Sequence, residues 1–323
     1  MYIITGGAGF IGSALVGMLN QGGVSDIIVV DDLGSTDRWK NLVGKTYLRY
    51  IHKDDLFSIL SANELPSRVE GIVHMGAHSY TTTRDMDLLF RDNIEYSRRL
   101  AEYAIEKGIR FIYASSASVY GDGTLGFSDN DEKTALYRPL NPYGYSKQRF
   151  DIDVIRENWS SLIAGLRFFN VYGPNEYHKI GQFSVAYKAY LQAKQEGVVK
   201  LFKSYRPDFK DGQQTRDFVY VKDCCNVILW LLEHPEANGI FNVGYGKARS
   251  WNDLTESVFE SLSKPKNIEY IDMPIELREH YQYVTEADIS KLRAVGYERP
   301  MTSLEDGIKD YIQGYLGRAV SYI

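Results

Sequence analysis

Short apolar runs recur along the first half of the chain, each followed by a stretch in which apolar positions return every three or four residues. Tyr2–Thr5 is the first run, and Leu15, Val16 and Leu19 mark the helical rhythm after it. Ile27–Val30, Gly71–His74, Ile109–Tyr113 and Leu162–Arg167 repeat the strand signal, with helical patterns from about Leu88 to Lys107 and from Tyr143 through Phe150 and Val154. Strands alternating with helices predict an α/β fold, a Rossmann-type doubly wound parallel sheet with helices on both faces. Past Asn170–Pro174 the pattern changes to longer helices (Phe183–Glu196, Val221–Leu232), short strands (Lys200–Phe202, Ile240–Val243) and more charge. This predicts a smaller, mixed α/β lobe over the crevice, with no linker, internal repeat or low-complexity segment between the two parts.

Composition narrows the classes. A chain of 323 residues with 44% hydrophobic positions can bury a large core, and a net charge of -5 gives no electrostatic case for nucleic-acid binding. The two cysteines, Cys224 and Cys225, are adjacent, so neither a disulfide framework nor a spaced metal site is expected, and a reduced cytoplasm fits. The start runs straight into a strand, without the basic and apolar regions of a signal peptide, and no window approaches the ~20 apolar residues of a membrane span.

The chemistry gathers where the strands end. Gly6, Gly9 and Gly12 follow the first strand and open a helix around Phe10 and Ile11, a spacing that permits a tight turn and close approach of a pyrophosphate to a helix N-terminus. The second strand ends in Asp31-Asp32, at about the ~20-residue distance where a carboxylate meets the adenosine ribose. This predicts a dinucleotide-binding domain over residues 1–175 and a smaller substrate lobe over 176–323, the boundary approximate and segments free to interleave. Gly76-Ala77-His78-Ser79 and Ala114-Ser115-Ser116 lie at other strand ends of the same edge; His78 reads as a cleft wall. Tyr143 and Lys147 are four apart on a helix and so share a face, where a cation beside the phenol would favour its ionised form. Lys179 follows the Gly173-Pro174 turn at the mouth of the second lobe.

Together, Gly6-x-x-Gly9-x-x-Gly12, Ser115 to Gly121, Tyr143-x-x-x-Lys147, Arg167 to Pro174 and Arg216 to Val221 resemble an extended short-chain dehydrogenase/reductase acting on nucleotide sugars. Within that group the chain resembles the ADP-L-glycero-D-manno-heptose 6-epimerase family, through His74-x-Gly76-Ala77, Ser79-x-Thr81-Thr82, Glu176-Tyr177-His178-Lys179, Gly239 to Gly244 and several stretches between Ile268 and Tyr297. The resemblance implies inversion at C6 of an ADP-heptose, a step toward the heptose of lipopolysaccharide core, by oxidation to a transient ketone and hydride return to the other face. It implies Tyr143 and Lys179 as two acid/base groups, Lys147 on the nicotinamide ribose and Ser116 on the reacting oxygen. It also implies that the lobe over 176–323 is nucleotide-sugar-binding, with cofactor contacts at Lys53, Met75, Asn93 and Val171, and substrate contacts at Asn170, Gly181 and Lys188. Arg216 is favoured for the diphosphate, with Phe202, Lys203, Ser204 and Tyr205 lining the nucleotide site and Tyr281 nearby. The segment from Arg206 to Thr215 is longer than the family's usual loop.

Asp31 and Asp32 favour a free ribose diol and so NAD, whereas Arg38 lies within loop reach of a 2′-phosphate. The resemblance implies NADP, which is the expectation, with NAD as the alternative. It also suggests a homo-oligomer such as a pentamer. A nucleotide-sugar 4-epimerase or 4,6-dehydratase is a rival; dehydratases of this superfamily carry an Asp-Glu pair where this chain has Ala117-Ser118. A non-catalytic, cofactor-sensing binding protein is a second rival, but such relatives usually lack the tyrosine or lysine of the pair.

Overall fold

The computed structural model describes residues 1–179, 181–278, 281–318 and 321–323. In chain order its first half comprises β1 (Tyr2–Thr5), α1 (Phe10–Gln21), β2 (Ile27–Asp31), β3 (Arg49–His52), α2 (Leu56–Ala62), β4 (Gly71–His74), α3 (Met86–Leu89), α4 (Tyr96–Glu106), β5 (Arg110–Ser116), α5 (Pro142–Arg156) and β6 (Ala164–Phe168). Then come β7 (Asn170–Tyr172), α6 (Val185–Gln195), β8 (Val199–Phe202), β9 (Thr215–Arg216), β10 (Phe218–Tyr220), α7 (Val221–Glu233), β11 (Gly239–Val243), β12 (Arg249–Ser250), α8 (Trp251–Ser261), β13 (Ile268–Ile271), α9 (Ile275–Arg278), α10 (Ser290–Ala294) and α11 (Leu304–Lys309).

Seven parallel strands form the main sheet in the order β11-β6-β5-β4-β1-β2-β3. Successive side chains of a strand point to opposite faces, and here they enter two separate cores. Ile4, Val29, Val73 and Ile112 pack into one, Ile3, Ile28, Ile72 and Phe111 into the other. Because helices cover both faces, these strands are apolar at consecutive positions.

Three features depart from the sequence expectations. The Ile240–Val243 strand, expected in the smaller lobe, is β11, an edge of the main sheet paired with β6 from Gly239↔Ala164 to Val243↔Phe168. The helix expected from about Leu88 to Lys107 is α3 and α4 joined by a π-helical stretch, Phe90–Glu95. β3 and α2, which carry no strong periodic signal, complete the other side of the sheet. Beyond the sheet, β8 pairs with β13, β7 with β10, and β9 with β12. Among the described residues no helix is long and apolar enough to cross a membrane.

Candidate active site

The carboxyl ends of β1, β4, β5 and β6 open into a cleft of about 420 Å³ whose lining includes the glycine-rich turn, Ser116, Tyr143, Lys147, Asn170 and Lys179. The turn is built for close backbone approach. Gly6 has φ of +63°, and a Cβ there would come within 2.6 Å of the Gly76 nitrogen; one at Gly12 would overlap the Gly6 carbonyl oxygen. Gly9 caps α1 without a side-chain hydrogen bond, and the first turn carries no acidic residue. Its N–H groups and dipole are therefore left for an anion. Ile11, Met75, Gly76, Ala77, Ser79 and Val171 also line the cleft.

A second cavity of about 250 Å³ continues past Asp31, Asp32, Arg38, Lys53 and His78. Asp31, 6% exposed, is occupied on both oxygens: one accepts from the Ala8 amide at 2.8 Å, the other from the Asp32 amide at 2.7 Å and Arg38 Nη1 at 2.8 Å. Asp32 instead points outward, with Gly34 N–H at 3.1 Å and His52 at 3.7 Å. The two carboxylates expected to act as a pair are thus in unlike settings. Arg38 keeps a buried Nε without a partner. Lys53 is held by Asp92 at 3.4 Å and Asp54 at 3.3 Å.

Asn93 lies in the π-helical stretch and does not line either cavity. Its amide donates to the His78 carbonyl at 3.0 Å and to Ser146 Oγ at 2.9 Å, and Ser146 donates to the Tyr143 carbonyl at 2.7 Å. On the other side the Ser97 hydroxyl donates to the Asn93 carbonyl at 2.6 Å and meets His74, which also bonds Thr5. A buried polar chain therefore runs from β1 to α5. Burial pushes His74 down to about 3. His78 is bonded to Asn93 and Thr83 and lines the second cavity.

α5 begins at Asn141, whose side chain accepts from the Gly144 amide, with Pro142 in the first turn. This fixes the start of the helix so that Tyr143 and Lys147 face the cleft. Burial pushes the Tyr143 phenol up, and a hydrogen bond with Ser116 pulls it down. Lys147, 4% exposed, donates to the Ala114 carbonyl at 2.8 Å and is brought down to about 8 by burial, with Asp151 opposing. Asp151 in turn accepts from Tyr113, Ser115 and Arg167, each at 2.9 Å.

Lys179 enters the cleft from the loop that follows β7, in which Asn175 has φ of +79°. Its ammonium sits 5.0 Å from the centre of the Phe10 ring. Burial and the Arg38 charge lower its proton affinity, while Glu176 raises it. Glu176 is itself buried and accepts from Gly173, Ser184 and Tyr311.

The expected nucleotide residues form a neighbouring cluster. Arg216, 8% exposed, lies 5.4 Å from the Trp251 ring and 5.2 Å from the Tyr281 ring, and Trp251 Nε1 donates to the Tyr281 hydroxyl at 2.9 Å. Phe202 packs edge-on to Tyr281 at 6.5 Å. Lys203 and Tyr205 both bond Asp272, at 3.1 Å and 3.0 Å, and the Ser204 amide donates to Asp211 at 2.7 Å. Gly181 and, on α6, Lys188 are exposed, and among the described residues neither is part of the cleft lining. Arg206 pairs with Asp208 within its own loop at 2.5 Å. Gln182, Phe183, Trp251 and Leu254 line the cleft without having been named as site residues from the sequence, as does Phe218, which was noted only within the Arg216 to Val221 motif. Trp251 had a local signal in the Ser250-x-x-Asp253 capping box that starts α8.

Residues 2–244 match the NAD dependent epimerase/dehydratase family. The ADP-L-glycero-D-manno-heptose-6-epimerase of Nitratidesulfovibrio vulgaris strain DP4 is 54% identical over 323 residues, all of both chains. The crystal structure of the Helicobacter pylori ADP-L-glycero-D-manno-heptose-6-epimerase superposes with a TM-score of 0.81 at 31% identity, covering 97% of this chain and 95% of that one. The Thermus thermophilus UDP-glucose 4-epimerase in complex with NAD gives 0.75 at 26% identity, with 97% of each chain covered.

Proposed function

Because the chain belongs to the NAD dependent epimerase/dehydratase family, we propose that it inverts C6 of an ADP-activated glycero-manno-heptose, the activity carried in the name of its full-length relative. The observation that carries this reading is the meeting of Ser116, Tyr143, Lys147 and Lys179 in one cleft with an uncapped, glycine-lined helix start. The substrate is a nucleotide sugar and the cofactor a nicotinamide dinucleotide. Gly6 to Gly12 would hold its pyrophosphate, Lys147 its nicotinamide ribose, and the cavity around Asp31 and Arg38 its adenosine end. Bound there, it supplies the hydride chemistry that a carbinol carbon, too weakly acidic to lose a proton, needs for inversion.

The remaining work falls to the chain's own side chains. Ser116 hydrogen-bonds the C6 oxygen and the Tyr143 phenol, fixing where the proton moves. Tyr143 exchanges that proton in one orientation of the sugar and Lys179 in the other, since the carbonyl must present each face in turn. The lowered proton affinity of Lys179, set chiefly by burial, makes its neutral form easier to reach, as a group that both gives and takes a proton requires. Lys147 stays fixed on the Ala114 carbonyl, a buried cation lining the same cleft as the phenol. Arg216, stacked between two aromatic rings, would meet the diphosphate.

NADP is the proposed form of the cofactor. Arg38, 2.8 Å from the Asp31 carboxylate, offsets that carboxylate's repulsion of a 2′-phosphate and supports this form. A homo-oligomer belongs to the same reading, as does a domain division near residue 175 with the stretch from α7 to β11 returning to the first domain.

The test is incubation with ADP-D-glycero-D-manno-heptose and no added reductant, together with mass identification of the cofactor released on denaturation. The L-glycero epimer and NADP are expected. Turnover of UDP-glucose or UDP-galactose alone would refute the substrate assignment, release of NAD the cofactor form, and a monomer in sedimentation the assembly.

A further inference from the structure

Far along the chain, residues 321–323 lie against the loop that carries Lys179. The Tyr177 hydroxyl donates to the Ser321 carbonyl at 2.6 Å, and its ring meets Tyr322 edge-on at 5.3 Å. The Ile323 amide donates to Asn175 Oδ1 at 3.0 Å, while the Asn175 side-chain amide donates to Ser13 Oγ on α1 at 3.0 Å. The Ile323 carbonyl oxygen accepts from Lys45 Nζ at 2.5 Å and rests over Gly17, where a Cβ would come within 2.7 Å of it. Glycine inside a helix is less favourable than alanine, and here the close approach of Ile323 gives its absent side chain a purpose.

Three consecutive residues before Lys179 are thus pinned by different partners: Asn175 by α1 and Ile323, Glu176 by Ser184 and Tyr311, Tyr177 by Ser321. A lysine side chain carries large rotamer entropy, and its backbone must be fixed if the ammonium is to stay in one place. We propose that residues 321–323 are a positioning strap, fastening Asn175 and Tyr177 to α1 so that the Lys179 ammonium is presented to the cleft. This rests on Lys179 being the second acid/base group. The strap thereby links the helix whose first turn receives the dinucleotide to the loop that bears one of the proton-transfer groups.

The experiment uses the full chain with Gly17→Ala, whose Cβ pushes the strap away while improving helix propensity, and Tyr177→Phe, which removes the bond to Ser321. Each is assayed for epimerisation alone and combined with Lys179→Ala. In parallel, acetylation of Lys179 is followed against pH by mass spectrometry of its peptide. Expected are a fall in kcat of ~10- to 100-fold with KM and cofactor retention unchanged, no further loss when combined with Lys179→Ala, and an acetylation midpoint moved up toward that of an ordinary lysine. An unchanged midpoint overturns the proposal whatever the rates do. So does a loss that adds in full to Lys179→Ala, which marks a general structural role. If Lys179→Ala is inactive, a moved midpoint at unchanged kcat overturns it as well. If Lys179→Ala is itself as active as wild type, the catalytic reading of Lys179 fails, and the midpoint alone then decides whether the strap positions the ammonium.

Discussion

Replacing Asp151 by alanine tests how the strand ends that border the cleft are held. Its carboxylate and the Arg167 guanidinium are both 0% exposed and 2.9 Å apart, and the same carboxylate receives the Tyr113 and Ser115 hydroxyls. Arg167 has further bonds to Tyr120 at 3.1 Å and Thr134 at 2.8 Å, but no other carboxylate neutralises it among the described residues. Asp151→Ala therefore leaves a buried cation and two hydroxyls short of an acceptor. Breaking a buried pair from one side costs ~3–5 kcal/mol, out of a total stability of ~5–15 kcal/mol. Chemical denaturation followed by circular dichroism should show a loss of at least ~3 kcal/mol. Adding Arg167→Met should recover part of it, because the stranded charge is gone. Ser115 precedes Ser116 on β5, so activity should fall further than the folded fraction does. A single-variant loss below ~1 kcal/mol, or a double variant as unstable as the sum of the singles, would refute the argument.

Tyr143→Phe removes the phenolic proton and little volume; turnover should drop by ~10²- to 10⁴-fold, while the cofactor released on denaturation stays near one per chain. Near-normal turnover would take Tyr143 out of the mechanism. Gly12→Ala sets a Cβ against the Gly6 carbonyl and should yield folded protein that does not retain the dinucleotide, with full retention the opposing result. His74 has its folded value depressed from 6.5 to about 3, so it contributes stability that is fully present above 6.5 and lost as pH falls through that window. His74→Asn should flatten the pH dependence of unfolding there by on the order of 1 kcal/mol per unit, and an unchanged slope would show that the imidazole is protonated in the fold.

The strands were legible where burial on both faces makes a run continuously apolar, as in Ile27–Val30 and Gly71–His74. β3 was not, because Arg49-Tyr-Ile-His52 mixes exposed and buried positions at the sheet edge. β11 was recognised as a strand but assigned to the wrong neighbours, since local sequence carries no record of pairing across the intervening chain. The site was legible in its parts that depend on short spacing: the glycine turn and the Tyr143–Lys147 pair. What Asp31 bonds, where Lys147 points and how Asn93 reaches α5 depend on tertiary packing. The π-helical stretch that places Asn93 looks, in sequence, like ordinary helix. The cluster around Arg216 drew on residues from β9, α8 and Tyr281, which meet only after folding.

The position of β11 also bears on synthesis. β6 ends at Phe168 and its outer partner begins at Gly239, so about 70 residues must leave the ribosome before that edge is covered. At ~5–20 residues per second the nascent chain exposes an unpaired, apolar strand edge for ~4–14 s. The residues made during that interval include α6 and Arg216, so the central sheet cannot be completed until that part of the chain has been synthesised.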